Sequence, residues 1–218
     1  VTPIVATEGG VTLVGGGTVA AGDWAEALAL APVLVAADSG ADAALAAGNM
    51  PQAVIGDFDS LSDAARRIIP AERLHPIPEQ DSTDFEKCLM RISARFVLAI
   101  GFAGRRLDHT LAALSAMARH PQPPVLLLSE EDVTFLAPPR LDLPLGAGTR
   151  VSLWPLGPSG GRSIGLRWPI DDITFEPSGR IGTSNIATGP VCLALEGPML
   201  VLLPREALPS VLSALSLV

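Results

Sequence analysis

Positive charge is scarce in this chain of 218 residues: 15 Lys plus Arg stand against 23 Asp plus Glu, a formal net charge of -8. The basic residues form no run, so a nucleic-acid backbone is repelled on balance and no nucleic-acid partner is expected. Cysteine is nearly absent as well. Cys88 and Cys192 lie far apart, in stretches that read as a buried helix face and a buried strand, which excludes a disulfide framework and points to reduced core thiols. Long apolar runs are missing too: the most apolar stretch, Trp24 to Ala47, is broken by Glu26, Pro32, Asp38 and Asp42, short of the ~18 residues a membrane helix needs. The first residues lack the basic start and apolar centre of a signal peptide. These absences lead to the expectation of a soluble, cytoplasmic protein with no membrane partner.

What the chain does have is core material, with 48% hydrophobic residues. Up to about residue 137, short apolar runs alternate with helical patterns. Val11 to Val14, Val33 to Ala37, Ala53 to Ile55, Phe96 to Ile100 and Val125 to Leu128 read as buried parallel strands. Helices are expected over Trp24 to Leu30 with Asp23 as cap, from Ser60 or Ser62 to Ile69, over Phe85 to Ile92 with Asp81 or Ser82 as cap, and over Leu107 to Arg119. Such alternation predicts an α/β domain with an open, mostly parallel sheet over residues 1–137, binding ligands outside the carboxyl ends of its strands. After Pro138-Pro139, Pro and Gly recur every few residues between short apolar runs at Val151 to Trp154, Ser163 to Trp168, Val191 to Leu195 and Met199 to Leu203. That texture predicts a small all-β sandwich over 138–218, behind a linker near 137–145.

Four acidic side chains fall in two clusters, Gly56-Asp57-Phe58-Asp59-Ser60 and Asp81-Ser82-Thr83-Asp84. Asp57 and Asp59 are two apart after a strand and share a side, while Phe58 points away and can anchor the loop. Asp81 and Asp84 are three apart at an expected helix start. Two readings stand for each cluster: helix caps, or hard oxygen ligands for Mg²⁺, which takes one or two carboxylates plus substrate phosphates. Lys87, one turn after Asp84, reads as a surface partner for it or as a phosphate contact. Gly101-Phe102-Ala103-Gly104-Arg105-Arg106-Leu107-Asp108-His109 joins glycines, arginines and a helix start, three devices for phosphate. Gly15-Gly16-Gly17-Thr18-Val19-Ala20, with Asp38 about 20 residues on, fits the loose dinucleotide fingerprint. Against it stand a helix expected to start only after Asp23 and acidic clusters that hydride transfer does not use.

In order, Ala37-Asp38-Ser39-Gly40-Ala41, the Gly56 to Ser60 cluster, Gln80-Asp81-Ser82-Thr83-Asp84-Phe85-Glu86-Lys87, Gly104-Arg105-Arg106-Leu107-Asp108-His109 and Thr183-Ser184-Asn185 resemble the thiamin pyrophosphokinase family, from about residue 33 to 203. The resemblance implies an α/β catalytic domain followed by a β-sandwich, a homodimer, and transfer of the diphosphate of ATP to thiamin with Mg²⁺. It implies that Asp57, Asp59 and Asp84 hold or orient the ion with Asp81 and Asp38 supporting. Asp38, Ser39, Arg106, Asp108 and His109 would contact the nucleotide, Gln80 the substrate, and Ser184 and Asn185 the thiamin. Arg105 stands where the family usually carries a second glycine, and Ile186 where a polar residue is common. Trp168, before a proline, reads as core with stacking on a ligand ring as the alternative. The same residues also admit diphosphate transfer to another alcohol, such as a pterin, or a non-catalytic nucleotide sensor.

Overall fold

The computed structural model describes residues 2–104 and 106–218, so the Arg105 position lies outside the described residues. The chain folds as two compact units, one up to Ser129 and one from Glu130.

The first unit runs β1 (Val5–Ala6), β2 (Gly10–Val14), α1 (Ala21–Leu30), β3 (Val33–Ala37), α2 (Gly40–Ala46), β4 (Ala53–Gly56), α3 (Asp63–Ile68), β5 (Leu74–Pro76), α4 (Asp84–Leu89), β6 (Ile92–Ser93), β7 (Phe96–Ile100), α5 (Leu107–Arg119) and β8 (Val125–Leu128). β1 pairs with β6 in a separate two-stranded sheet. The other strands form a parallel sheet in the order β8-β7-β2-β3-β4-β5. Its central strands are apolar along their whole length because both faces are covered. Val11, Leu13, Val35, Ile55, Val97 and Leu98 are all fully buried, each stabilising the fold by about 1.5–3 kcal/mol relative to exposure. The one polar side chain among them, Thr12, donates its hydroxyl to the Ala31 carbonyl at 2.6 Å. Chain order reverses between β2 and β7, so the loops after these two strands part there and leave a crevice at their carboxyl ends.

Helix starts differ from the sequence reading in ways that bear on this crevice. α1 begins at Ala21, and Asp23 lies inside its first turn, reaching back to the Ala20 N–H at 3.2 Å. The cap of α4 is neither Asp81 nor Ser82 but Thr83, extended at φ -74° and ψ 160°, whose hydroxyl accepts from the Glu86 N–H. Asp81 therefore sits outside the helix, exposed, its own N–H bonded to Glu79. Ser62, one of two candidates, caps α3.

The second unit contains β9 (Asp132–Leu136), β10 (Arg140–Leu143), β11 (Arg150–Pro155), β12 (Gly160–Leu166), β13 (Gly182–Glu196), β14 (Met199–Pro204) and α6 (Leu208–Ala214). All of its pairings are antiparallel. The 15-residue β13 belongs to two layers: its first part pairs with β11, which continues through β14 to β9, and its later part lies between β10 and β12. The expected linker near 137–145 instead carries β10, and β9 joins the second unit through β14, moving the division to Ser129. α6 is an addition to the elements expected from sequence, though Leu208, Val211 and Leu212 repeat at helical spacing and are buried.

Two side chains contradict the sequence reading. Along β13, Val191, Leu193 and Leu195 point inward, so the period of two turns Cys192 to the surface. Trp168 is 53% exposed, with the Arg167 guanidinium 5.0 Å from its ring centre. Both thiols are free, and Cys88 is buried.

Candidate active site

A cleft of about 550 Å³ opens at the carboxyl ends of the parallel strands in the first unit. It is lined by the loops after β2 and β7, Gly15 to Gly17 and Gly101 to Ala103, together with Arg106 and His109. Asp38, Ser39, Asp57, Asp59, Ser60, Gln80, Asp84 and Lys87 line it as well, Ser39 standing directly beside Gly16. The glycine triplet read as a competing fingerprint thus lines the same crevice as the acidic clusters.

Short backbone devices bring the carboxylates together. Asp38 follows the end of β3 at φ 45°, a left-handed conformation that aspartate tolerates. β4 ends in Gly56, where a Cβ would stand 2.9 Å from the Asp38 Cβ and 3.1 Å from Asp84 Oδ1, so only glycine lets these two groups approach. Phe58 also has positive φ, 65°, costing roughly 1–3 kcal/mol for such a bulky residue. Burial of its ring, a bond from Arg66 to its carbonyl and the Arg66 guanidinium 5.4 Å from the ring centre oppose that cost. Asp57 Oδ1 accepts the Asp59 N–H at 3.1 Å, closing the turn that aims both acids into the cleft.

Oxygen atoms of Asp38, Asp57 and Asp59 lie within 4.8 Å of one another. Asp38 is 3% exposed; its Oδ2 accepts the Ser60 N–H at 3.2 Å, while Oδ1 is buried without a partner. An orphaned carboxylate oxygen on a member of a three-acid cluster is costly unless a cation satisfies it, so the residues present fit a hard divalent ion. Burial, followed by the charge of Asp84, pushes Asp38 up to about 6. Burial also works upward on Asp57, but the Asp59 N–H, Lys87 and Gln80 outweigh it and hold that carboxyl below its ordinary value. Asp84 is raised by burial in spite of Lys87.

The sequence reading undervalues Lys87. It is 1% exposed, and its Nζ lies 3.1 Å from Asp57 Oδ2 and 3.2 Å from Asp84 Oδ1. Burial alone would lower its pKa, but the two carboxylates more than reverse this and keep the ammonium charged. Only its spacing of three from Asp84 is readable in the sequence; the burial of α4 from Phe85 to Leu89, which turns that pairing inward, is not.

The remaining candidates divide. Gln80 Nε2 bonds Asp57 Oδ2 at 2.9 Å, and Ser39 and His109 line the cleft. Asp81 and Asp108 do not line it. Asp108 instead forms an exposed pair with Arg106, Oδ2 to Nη2 at 2.5 Å. In the second unit, Ser184 and Asn185 line a separate cavity of about 310 Å³ with Trp168, Phe175 and Arg180. The Asn185 amide is committed to the backbone: it donates to the Trp168 carbonyl at 2.6 Å and accepts from the N–H groups of Trp168 and Ile186.

A parallel α/β unit with its crevice at the reversal of strand order, lined by glycine loops and carboxylates, belongs to the open-sheet α/β fold class. Residues 24–127 match the family model described as thiamin pyrophosphokinase, catalytic domain. Thiamine pyrophosphokinase 1 of Oryza sativa subsp. japonica is 28% identical over 155 residues, and thiamine pyrophosphokinase 2 of Arabidopsis thaliana is 30% identical over the same length. Each match covers 62% of this chain, which spans about three fifths of those relatives, 59% and 58%. Among solved structures, thiamin pyrophosphokinase from Candida albicans superposes with a TM-score of 0.76 at 16% identity, covering 90% of this chain and 89% of that one. The Geobacillus thermodenitrificans protein gives 0.73 at 21% identity, covering 89% and 96%. Over residues 24–127 the chain is thus similar to the thiamin pyrophosphokinase catalytic domain, and the solved structures share its fold.

Proposed function

We propose that this chain is an ATP-dependent diphosphotransferase, converting thiamin and ATP to thiamin diphosphate and AMP with Mg²⁺. The observation that carries the reading is the Asp38, Asp57 and Asp59 cluster with its unpartnered Asp38 Oδ1, set at the sheet's crevice in a catalytic-domain match. Asp38, Asp57 and Asp59 would hold the ion, which when bound would neutralise phosphate charge and act as a Lewis acid. The thiamin hydroxyl forms the new O–P bond at the β-phosphorus as the bridge to the α-phosphate breaks, and AMP leaves.

Protein side chains in this scheme position reactants and balance charge, as expected where no covalent nucleophile is needed. Gln80 and Lys87 fix Asp57 in one orientation. The Gly15 and Gly17 N–H groups are spent on the Ile100 and Gly101 carbonyls, so these loops serve by leaving room for the nucleotide, and Arg106 and His109 on the cleft lining meet its phosphates and nucleoside. We assign the acceptor ring to the second unit's cavity, where exposed Trp168 offers a stacking face and Ser184 a hydroxyl. Asn185 serves that pocket by pinning Trp168 through both backbone groups. The proposal includes a cytoplasmic homodimer.

Incubation with ATP, Mg²⁺ and thiamin, followed for AMP and thiamin diphosphate, tests this reading. Asp57→Asn should lower turnover by about a hundredfold or more while circular dichroism stays native. Product with a pterin but not with thiamin would establish a different acceptor, and tight binding of both ligands without turnover would establish a sensor.

A further inference from the structure

The ammonium of Lys87 sits where a second metal ion would be sought. Asp57 and Asp84 face each other across the cleft wall, Asp57 from the loop after β4 and Asp84 from the first turn of α4. Two carboxylates on separate elements, one of them also part of the Asp38, Asp57 and Asp59 cluster, are the ordinary frame for a pair of ions sharing a bridging acid. Here the gap between them is filled. Nζ bonds Asp57 Oδ2 at 3.1 Å and Asp84 Oδ1 at 3.2 Å, and the side chain is 1% exposed, so the ammonium has no bulk water to retreat into. The stem is held as well: α4 is buried from Phe85 to Leu89, and the Lys87 carbonyl accepts from Arg91 at 3.0 Å. Asp38 Oδ1, by contrast, is buried and unpartnered.

From this we infer that the cleft takes one resident divalent ion, at Asp38, Asp57 and Asp59, and that Lys87 is a built-in second cation occupying the Asp57–Asp84 gap. Asp84 is then a positioning residue for Lys87 rather than a ligand of the ion. A buried ammonium between two acids is stable only while both remain charged and close, so it also holds Asp57 in the orientation the ion needs. The fixed charge costs no recruitment from solvent when a polyanionic ligand arrives, as a second free ion would. The inference rests on the proposed Mg²⁺ reading of the cluster, and its test separates the two.

The test counts ions on the intact chain with Mn²⁺ alone, following the free Mn²⁺ signal by electron paramagnetic resonance. Wild-type protein should bind one Mn²⁺ per chain. Lys87→Ala vacates the gap and should bind a second, and its loss of turnover, about a hundredfold, should be recovered about tenfold or more at high Mg²⁺. Lys87→Arg, which keeps the charge, should stay at one ion. Two comparably tight ions on wild-type protein overturn the inference, and that measurement needs no variant to fold. A folded Lys87→Ala that still binds one ion and gains nothing from Mg²⁺ overturns it too. One ion on wild-type protein without thiamin turnover removes the functional reading and leaves the inference standing; two ions with full turnover do the reverse.

Discussion

Replacing Asp38 by Asn should make the metal-free protein more stable and the metal-loaded protein worse. Asp38 is buried with an unpartnered Oδ1, and its carboxyl is pushed from 3.8 up to about 6, first by burial and then by Asp84. A raised carboxyl pKa means the folded state binds the proton more tightly than the unfolded chain. The penalty is therefore absent below the unfolded value of 3.8, grows as pH rises toward about 6, and is complete above that. At about 1.4 kcal/mol per unit the full penalty would be ~3 kcal/mol, and water in the open cleft reduces this to about 1–2 kcal/mol. Asparagine suits the test because it tolerates the left-handed backbone and retains an oxygen for the Ser60 N–H. Thermal melts in EDTA at neutral pH should show the variant's midpoint roughly 2–6 °C above wild type, with the gap closing near pH 4. Added Mg²⁺ should raise the wild-type midpoint and leave the variant's nearly unmoved. A variant no more stable than wild type in EDTA, or a gap that persists at pH 4, would refute the reasoning.

Two further predictions concern groups outside the cleft. Glu86 is buried and takes paired bonds from Arg119 at 2.9 and 2.6 Å, with His120 Nε2 at 2.8 Å, tying α4 to the end of α5. Arg119, in spite of the burial and with His120 adding to it, holds the Glu86 carboxyl below its ordinary 4.5, so its contribution is present above that value and lost as pH falls through the lowered one. Glu86→Gln should cost about 1–2 kcal/mol in urea unfolding at neutral pH and converge with wild type in acid; equal stability at pH 7 counts against the clamp. Of the two thiols, exposed Cys192 should react with a thiol reagent in the native protein, slowly because its hydrogen bond to Asp142 raises its pKa, while Cys88 should wait for unfolding. Two fast-reacting thiols would contradict the burial of Cys88.

Sequence carried the first unit's sheet well, because strands buried on both faces announce themselves as unbroken apolar runs. Val33–Ala37, Phe96–Ile100 and Val125–Leu128 fall at the bounds the pattern marks. Local capping was less legible: Asp23 and Thr83 exchange roles with their neighbours through hydrogen bonds that depend on backbone angles rather than composition. The acids after β3 and β4 could be placed at the crevice because their strands could be placed. Asp81 could not, since its exclusion follows from where α4 begins. Burial of Lys87 required knowing that α4 packs along its whole length, a tertiary fact that its own charge pattern conceals. Cys192 departs from expectation because along a strand a one-residue change of phase exchanges inside for outside, while Trp168 lies in a bend beyond the end of β12, where that alternation no longer applies.

The central claim is tested most directly by AMP release from ATP in the presence of Mg²⁺ and thiamin, with thiamin diphosphate measured in the same sample. The account predicts AMP and thiamin diphosphate in equal amounts, no ADP, and loss of both in Asp57→Asn. ADP as the nucleotide product, or AMP release that ignores thiamin, would contradict it.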